Sequence, residues 1–291
     1  MSSGNLNADR RYAYAQSLRE EDDYLAAADI LTQALELAPQ WPEGRFALAE
    51  TLADAGKSRE AIAAYHAYLS VDPTDSMGAG ARLALLGEAT PADLPAAYVT
   101  RLFDEYAPRF DAALTDKLNY RGPALLREAV ERVAPGPFSR VFDLGCGTGL
   151  SGAAFRDSTH WLGGVDLSPA MIKRAVAKNL YDQLELGDIM VGLKNLAEPC
   201  DLIIAADVLV YVGELAPLIA LARCKTKALA FTVQRAESGT YCLGREQRYS
   251  HSRDYLMDCA LQADFAIAYM EDAITRQEAG RDVPGLVAVL V

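Results

Sequence analysis

The chain has 291 residues, 51% hydrophobic and 23% charged, with a formal net charge of −12. At ~100–200 residues per domain that length admits two domains; no apolar run approaches the ~20 residues of a membrane helix, and the polar start MSSGNLNADRRYAY lacks the apolar stretch of a signal peptide. So acidic a chain, broken only by short basic clusters such as Arg10-Arg11 and Lys225 with Lys227, disfavours a nucleic-acid partner.

Residues 8–88 are rich in alanine and leucine at helical spacing, and they repeat. Setting Pro39 over Pro73 gives a period of 34 and aligns Ala15 with Ala49, Leu18 with Leu52, Ala27 with Ala61 and Leu31 with Tyr65. Small residues let paired helices approach closely, and proline stops the second helix of a pair. Asp54-Ala55-Gly56 predicts a helix end and Ser58 a cap for the next helix, while 76–87 predicts a short capping helix. The pattern resembles the tetratricopeptide repeat. Such a module implies a groove for a protein partner, or a lid or dimerisation element that makes a homodimer; the residues leave these open.

The stretch GEATPADLPAAYV (87–99), with two prolines, marks the expected boundary between a repeat domain at 8–88 and a second domain at 98–291. In 98–130, Phe103, Tyr106 and Phe110 recur on one helical face. A helix over Leu125–Val133 leads to the turn Pro135-Gly136-Pro137.

VFDLGCGTGLSG (141–152) predicts a buried strand, a loop carrying Gly145, Gly147 and Gly149, and a helix start at Ser151. Glycine lets the backbone turn sharply and approach a ligand closely. The loop lacks the lysine of a Walker site, and its G-x-G-x-G spacing is one residue short of the dinucleotide fingerprint. Asp143 precedes the glycines, an acid suited to a ligand carrying positive charge. A second strand, Trp161–Asp166, ends in an acid 17 residues after Gly149; a carboxylate there can accept both hydroxyls of an adenosine ribose. Ser168 predicts a helix N-cap followed by Pro169. QLELGDIMV (183–191) predicts a third strand and CDLIIAADVLVYV (200–212) a fourth, buried on both faces. A helix over Glu214–Cys224, a fifth strand at Lys227–Val233, a helix at Ser252–Gln262 and strands near Phe265–Tyr269 and Leu286–Val291 complete the series.

The acid followed by G-x-G-x-G, with the D-L-S-x-x-M of residues 166–171, resembles the class I S-adenosylmethionine-dependent methyltransferases. The resemblance covers about 100–291 and implies an α/β fold, a Rossmann-like seven-stranded sheet preceded here by the all-α repeat domain. It implies S-adenosylmethionine as cofactor, held by Asp143, Gly145, Cys146, Gly147, Gly149, Asp166, Leu167, Met171, Asp188, Ile189, Ala206 and Asp207, with Tyr106 and Phe110 (and Arg109) in a lid. Cys146 is otherwise a small filler of the loop. Asp207 and Tyr211 fall at the end of the fourth strand, where the methionine end or the acceptor would lie; a helix N-cap is the competing role for Asp207. In the polar loop expected over 240–251, Arg248-Tyr249-Ser250-His251 follows the fifth strand, and His251 is a candidate general base against the alternative of starting the next helix.

The expected function is methyl transfer to a small-molecule or protein acceptor. The alternatives are an inactive methyltransferase-fold scaffold whose repeats recruit a partner, and a nucleotide-cofactor oxidoreductase. Five scattered cysteines without a C-x-x-C pair predict reduced thiols in a cytoplasmic setting, and three dispersed histidines predict no metal site.

Overall fold

The computed structural model describes residues 2–111, 120–278 and 280–291. Part of the 98–130 segment, residues 112–119, therefore lies outside the described residues. The chain divides into two compact units, Met1–Pro91 and Ala92–Val291. No helix among the described residues is long and apolar enough to cross a membrane.

The first unit is five helices: α1 (Leu6–Glu20), α2 (Tyr24–Leu37), α3 (Pro42–Asp54), α4 (Ser58–Leu69) and α5 (Ala79–Leu85). The small residues matched by the 34-residue period are the ones buried where paired helices meet. Ala15, Ala49, Ala27 and Ala61 have no exposed surface, and Leu31 and its counterpart Tyr65 are fully buried. Gly56, with φ of 71°, ends the turn between α3 and α4. Ser58 is not the cap of α4: Lys57 occupies that position, and no side chain caps the helix. The Tyr65 hydroxyl donates to Glu50, which also pairs with Arg82 of α5 at 3.1 Å, tying the capping helix to the preceding pair.

The second unit is a nine-stranded sheet with helices on both faces. Strands β1 (Phe138–Leu144), β2 (Thr159–Asp166), β3 (Gln183–Leu186), β4 (Cys200–Ala205) and β5 (Thr226–Arg235) are parallel in the order β3-β2-β1-β4-β5. A tail hairpin of β8 (Ile267–Glu278) and β9 (Arg281–Leu290) adds antiparallel to β5 through β9. These seven strands are the expected core. Two more, β6 (Tyr241–Leu243) and β7 (Tyr249–His251), form a hairpin whose second strand continues the sheet beside the end of β5.

Alternation along the strands sorts the core into two layers. Phe142, Leu144, Ile203, Ala205, Leu229 and Phe231 pack on one face with α10 (Ile189–Asn195), α11 (Ala216–Arg223) and α12 (Arg253–Gln262). Val141, Leu202, Ile204, Ala228 and Ala230 pack on the other with α7 (Gly122–Val133) and α8 (Leu150–Phe155). A strand apolar at every position is thus explained by burial on both sides. Helix α6 (Ala96–Tyr106) precedes the sheet and α9 (Pro169–Lys178) follows β2.

Three further local expectations need correction. β3 ends at Leu186, and Ile189 starts α10 instead of continuing the strand. β4 ends at Ala205, not at residue 212: Asp207 has a φ of 58°, which breaks the strand, and Leu209–Tyr211 form a 3₁₀ turn. The segment 240–251 is not a loop but the β6–β7 hairpin.

Candidate functional site

The C-terminal ends of the parallel strands open on a cavity of about 410 Å³, within the ~300–1,000 Å³ typical of small-molecule sites. A parallel sheet leaves a crevice there because its crossovers diverge to opposite faces. Its floor is the loop after β1. Gly145 has a φ of 63°, and a Cβ at that position would fall 2.8 Å from Cβ of Val208. Gly147, φ 54°, faces the cavity; its nearest neighbour would be the ring of Phe110 at 3.9 Å.

Asp166 at the end of β2 holds this loop in place. Its Oδ2 accepts the Gly147 N–H at 2.8 Å and its Oδ1 accepts the Ser168 N–H at 2.8 Å. Burial raises its pKa, and the two backbone N–H groups oppose that rise. Ser168 caps α9 as expected, accepting the Met171 N–H at 3.1 Å. Asp188 lines the cavity and caps a helix the sequence did not announce, α10, by accepting the Met190 N–H at 2.8 Å.

An aromatic cover lies opposite. Phe103, Tyr106 and Phe110 all line the cavity; Phe110 meets Tyr106 at 5.4 Å and Phe103 at 6.1 Å, and Phe103 meets Tyr211 at 5.3 Å, each edge to face. Two carboxylates tether this cover. Asp104 accepts the Ser168 hydroxyl at 2.6 Å and the Ala170 N–H at 3.2 Å. Asp111 pairs with Lys178 at 2.8 Å and accepts the Thr148 hydroxyl. Arg109 stacks 5.5 Å from the Tyr106 ring, outside the cavity wall.

The cavity therefore gathers Tyr106, Phe110, Gly145, Gly147, Asp166, Leu167, Asp188, Ile189, Ala206, Asp207 and Tyr211 of the expected residues. It does not gather Asp143, Cys146, Gly149, Met171 or His251, none of which lines it. Met171 and Cys146 are buried filler.

Asp143 sits beneath the loop, 1% exposed, where its Oδ2 accepts the Tyr181 hydroxyl at 2.7 Å and its Oδ1 has no partner among the described residues. Its one side-chain hydrogen bond among the described residues is to Tyr181, and it does not line the cavity. Burial raises its pKa to about 7, against a lowering hydrogen bond from Tyr181, with Asp166 adding to the rise. A carboxyl whose folded pKa lies above its unfolded value stabilises the fold at acid pH and loses that contribution as pH climbs through about 7. Asp143→Asn is accordingly expected to gain stability relative to the parent chain between pH 5 and pH 8. Melting temperatures measured at the two pH values check this; a constant difference would refute it.

His251 is not placed to be a base. It has no exposed surface, its Nε2 bonds the Gly213 carbonyl at 3.0 Å, and its ring stacks on Tyr255 at 6.1 Å. Burial lowers its pKa to about 4, against raising hydrogen bonds to Gly213 and Val212. The alternation of β7 turns it into an aromatic cluster with Tyr241 and Tyr255.

Asp207 is not a helix cap. Its N–H donates to the Thr232 hydroxyl at 2.8 Å, and its Oδ1 accepts from Arg276 Nη1 at 2.7 Å. Arg276, on β8, is 2% exposed and lines the cavity with Arg248. Arg276 Nε also reaches Glu278 Oε1 at 2.9 Å, an oxygen that Arg248 shares. Sequence reasoning named Arg248 without giving it a role and missed Arg276, because β8 carries no alternating pattern where Arg276 lies. No group of three or more metal-ligating side chains occurs among the described residues.

Comparison with known proteins gives two family matches: a methyltransferase domain over residues 141–227 and a tetratricopeptide repeat over 18–95. The chain is 38% identical over 100 residues to methyltransferase-like protein 27 of Homo sapiens, covering 33% of this chain and 40% of that protein. It is 43% identical over 53 residues to an 18S rRNA (guanine-N(7))-methyltransferase of Bos taurus, covering 18% of this chain and 19% of that one. The chain thus spans less than half the length of these curated relatives. Among solved structures, N-methyltransferase NodS from Bradyrhizobium japonicum WM9, in complex with S-adenosylhomocysteine, aligns with a TM-score of 0.52 at 19% identity, covering 66% of this chain and 97% of that one. That likeness establishes a methyltransferase-type fold for the second unit. The expectation against a nucleic-acid partner finds no support in these matches, one of which is to a protein named as an rRNA methyltransferase.

Proposed function

We propose that this chain transfers the methyl group of S-adenosylmethionine to an acceptor bound in the same cavity. One observation carries the reading: a glycine loop, two carboxylates and an aromatic cover meet at the ends of three adjacent strands, with the arginine-paired Asp207 just past the end of the fourth.

The residues suit the cofactor. The bare backbone of Gly145 and Gly147 leaves room for close approach. Asp166, already fixed by two N–H donors, directs its remaining lone pairs at a ribose diol. Asp188 accepts from an adenine amino group, and Ile189 packs on the ring. Phe103, Tyr106 and Phe110 exclude water. When bound, S-adenosylmethionine supplies an electrophilic sulfonium methyl. Because that group is already activated, the chain's contribution is chiefly to align donor and acceptor. Tyr211 and Asp207 border the acceptor end, and the burial of His251 leaves alignment, not proton removal by that histidine, as the catalytic device.

The repeat unit serves protein recognition in this reading, the use to which stacked helix pairs are put elsewhere. Five free cysteines accord with a reducing, cytoplasmic setting.

Titration calorimetry of the full chain with S-adenosylmethionine, S-adenosylhomocysteine and NAD tests the reading. Binding of the two adenosyl sulfur compounds at about micromolar Kd, or ~−8 kcal/mol, with NAD inert, is the expected result. Binding of NAD alone would replace it with a redox reading.

A further inference from the structure

We infer that the acceptor end of the cavity takes the carboxylate of a small, largely apolar carboxylic acid, an inference that rests on the methyl-transfer reading above. The group that carries it is the guanidinium of Arg276. Its Nη1 and Nε are committed to Asp207 and Glu278, at 2.7 and 2.9 Å. Its Nη2 has no hydrogen-bond partner among the described residues, although the side chain is only 2% exposed and lines the cavity. A buried donor left without an acceptor costs ~1–3 kcal/mol, and more when the group is charged. A ligand oxygen at Nη2 removes that cost.

Charge favours an anion over a neutral carbonyl. Arg276 and Arg248 are balanced by Asp207 and Glu278, so the four side chains together are neutral. A carboxylate at Nη2 makes a charge-assisted hydrogen bond, roughly twice as strong as one to a neutral carbonyl.

Sheet order places this group away from the donor's nucleoside. Asp188 and Asp166 follow β3 and β2, on one side of β1, whereas Arg276 lies on β8, beyond β4, β5 and β9. Leu94, Val99, Leu102, Val212 and Leu218 supply apolar wall to the same cavity, which suits an acid with a hydrocarbon or aryl body.

The test uses 4-phenylbutyrate and its neutral isostere 4-phenylbutanamide, titrated into the full chain saturated with S-adenosylhomocysteine. The acid is expected to bind about tenfold or more tightly than the amide, and Arg276→Gln to lower the acid's affinity by about tenfold while S-adenosylhomocysteine affinity stays within about threefold. Arg276→Lys, which keeps the charge, and Arg248→Gln, at a half-buried position, are expected to give smaller losses and keep the test decisive if Arg276→Gln does not fold. Equal binding of acid and amide, or no binding of the acid, would overturn the inference. A loss of S-adenosylhomocysteine affinity in Arg276→Gln would also overturn it, since Arg276 would then hold the donor's own carboxylate. Failure of the parent chain to bind S-adenosylhomocysteine would instead refute the methyl-transfer reading.

Discussion

Asp166→Ala is expected to lower S-adenosylhomocysteine affinity by about 100-fold, ~3 kcal/mol. Two contributions add. The ribose diol loses a charged acceptor, for which hydrogen bonds are worth ~1.5–3 kcal/mol each. The loop also loses its tether, because the same carboxylate accepts the Gly147 and Ser168 N–H groups at 2.8 Å each. Asparagine is not a conservative replacement here. Both oxygens already face backbone N–H donors, so an amide sets its own NH₂ against one of them. Asp166→Asn is therefore expected to fall close to alanine. Since burial raises the Asp166 pKa, donor affinity in the parent chain is also expected to fall on acidification, starting at a higher pH than an exposed aspartate would set. Titration calorimetry of both variants, with affinity followed across acid pH, checks these outcomes; unchanged affinity in Asp166→Ala would remove the residue from the site.

The features legible in the sequence are those built from neighbours along the chain. The glycine loop, the acid at the end of β2 and the Ser168 cap each depend on a few consecutive residues, and all three stand where expected. The repeat was legible for a related reason: Ala27 and Ala61 are small because both lie at helix contacts, so one packing constraint recurs at a fixed spacing. What could not be read is pairing across long separations. Asp207 meets Arg276 over 69 residues and Ser168 meets Asp104 over 64. No local pattern marks either partner, since a charged residue looks solvated until its counter-ion is known. Residues 200–212 misled because an apolar run does not distinguish a strand from a strand followed by a buried turn. The positive φ of Asp207 decides between them. His251 misled differently. A polar segment beyond a strand suggests exposure, but pairing with Tyr241 across the β6–β7 hairpin carries it into the interior.

Gly152→Ala is expected to lower the melting temperature of the second unit by about 5–15 °C, from a loss of ~2–4 kcal/mol at ~2–4 °C per kcal/mol. Gly152 lies on α8, and a Cβ there would overlap the Tyr181 ring, 2.5 Å from Cζ. Alanine is a good helix residue, so the penalty comes from tertiary packing and not from helix propensity. Tyr181 cannot simply move aside, because its hydroxyl is the donor to Asp143. Displacing the ring leaves a fully buried carboxyl with neither oxygen paired, and opens the space beneath the glycine loop, where the same ring also packs against Gly149 and Gly164. Tyr181→Phe isolates the polar part: the ring stays, the hydrogen bond is lost, and a smaller destabilisation is expected. Asp143→Asn in the Gly152→Ala background separates the two contributions. If the unpaired carboxyl is the larger cost, the amide recovers part of the lost stability at pH 8, where the parent carboxyl ionises most readily, and the two substitutions are non-additive, as contacting residues generally are. Strict additivity, or a melting temperature for Gly152→Ala within a degree or two of the parent, would mean that Tyr181 is free to repack and that Asp143 does not depend on it.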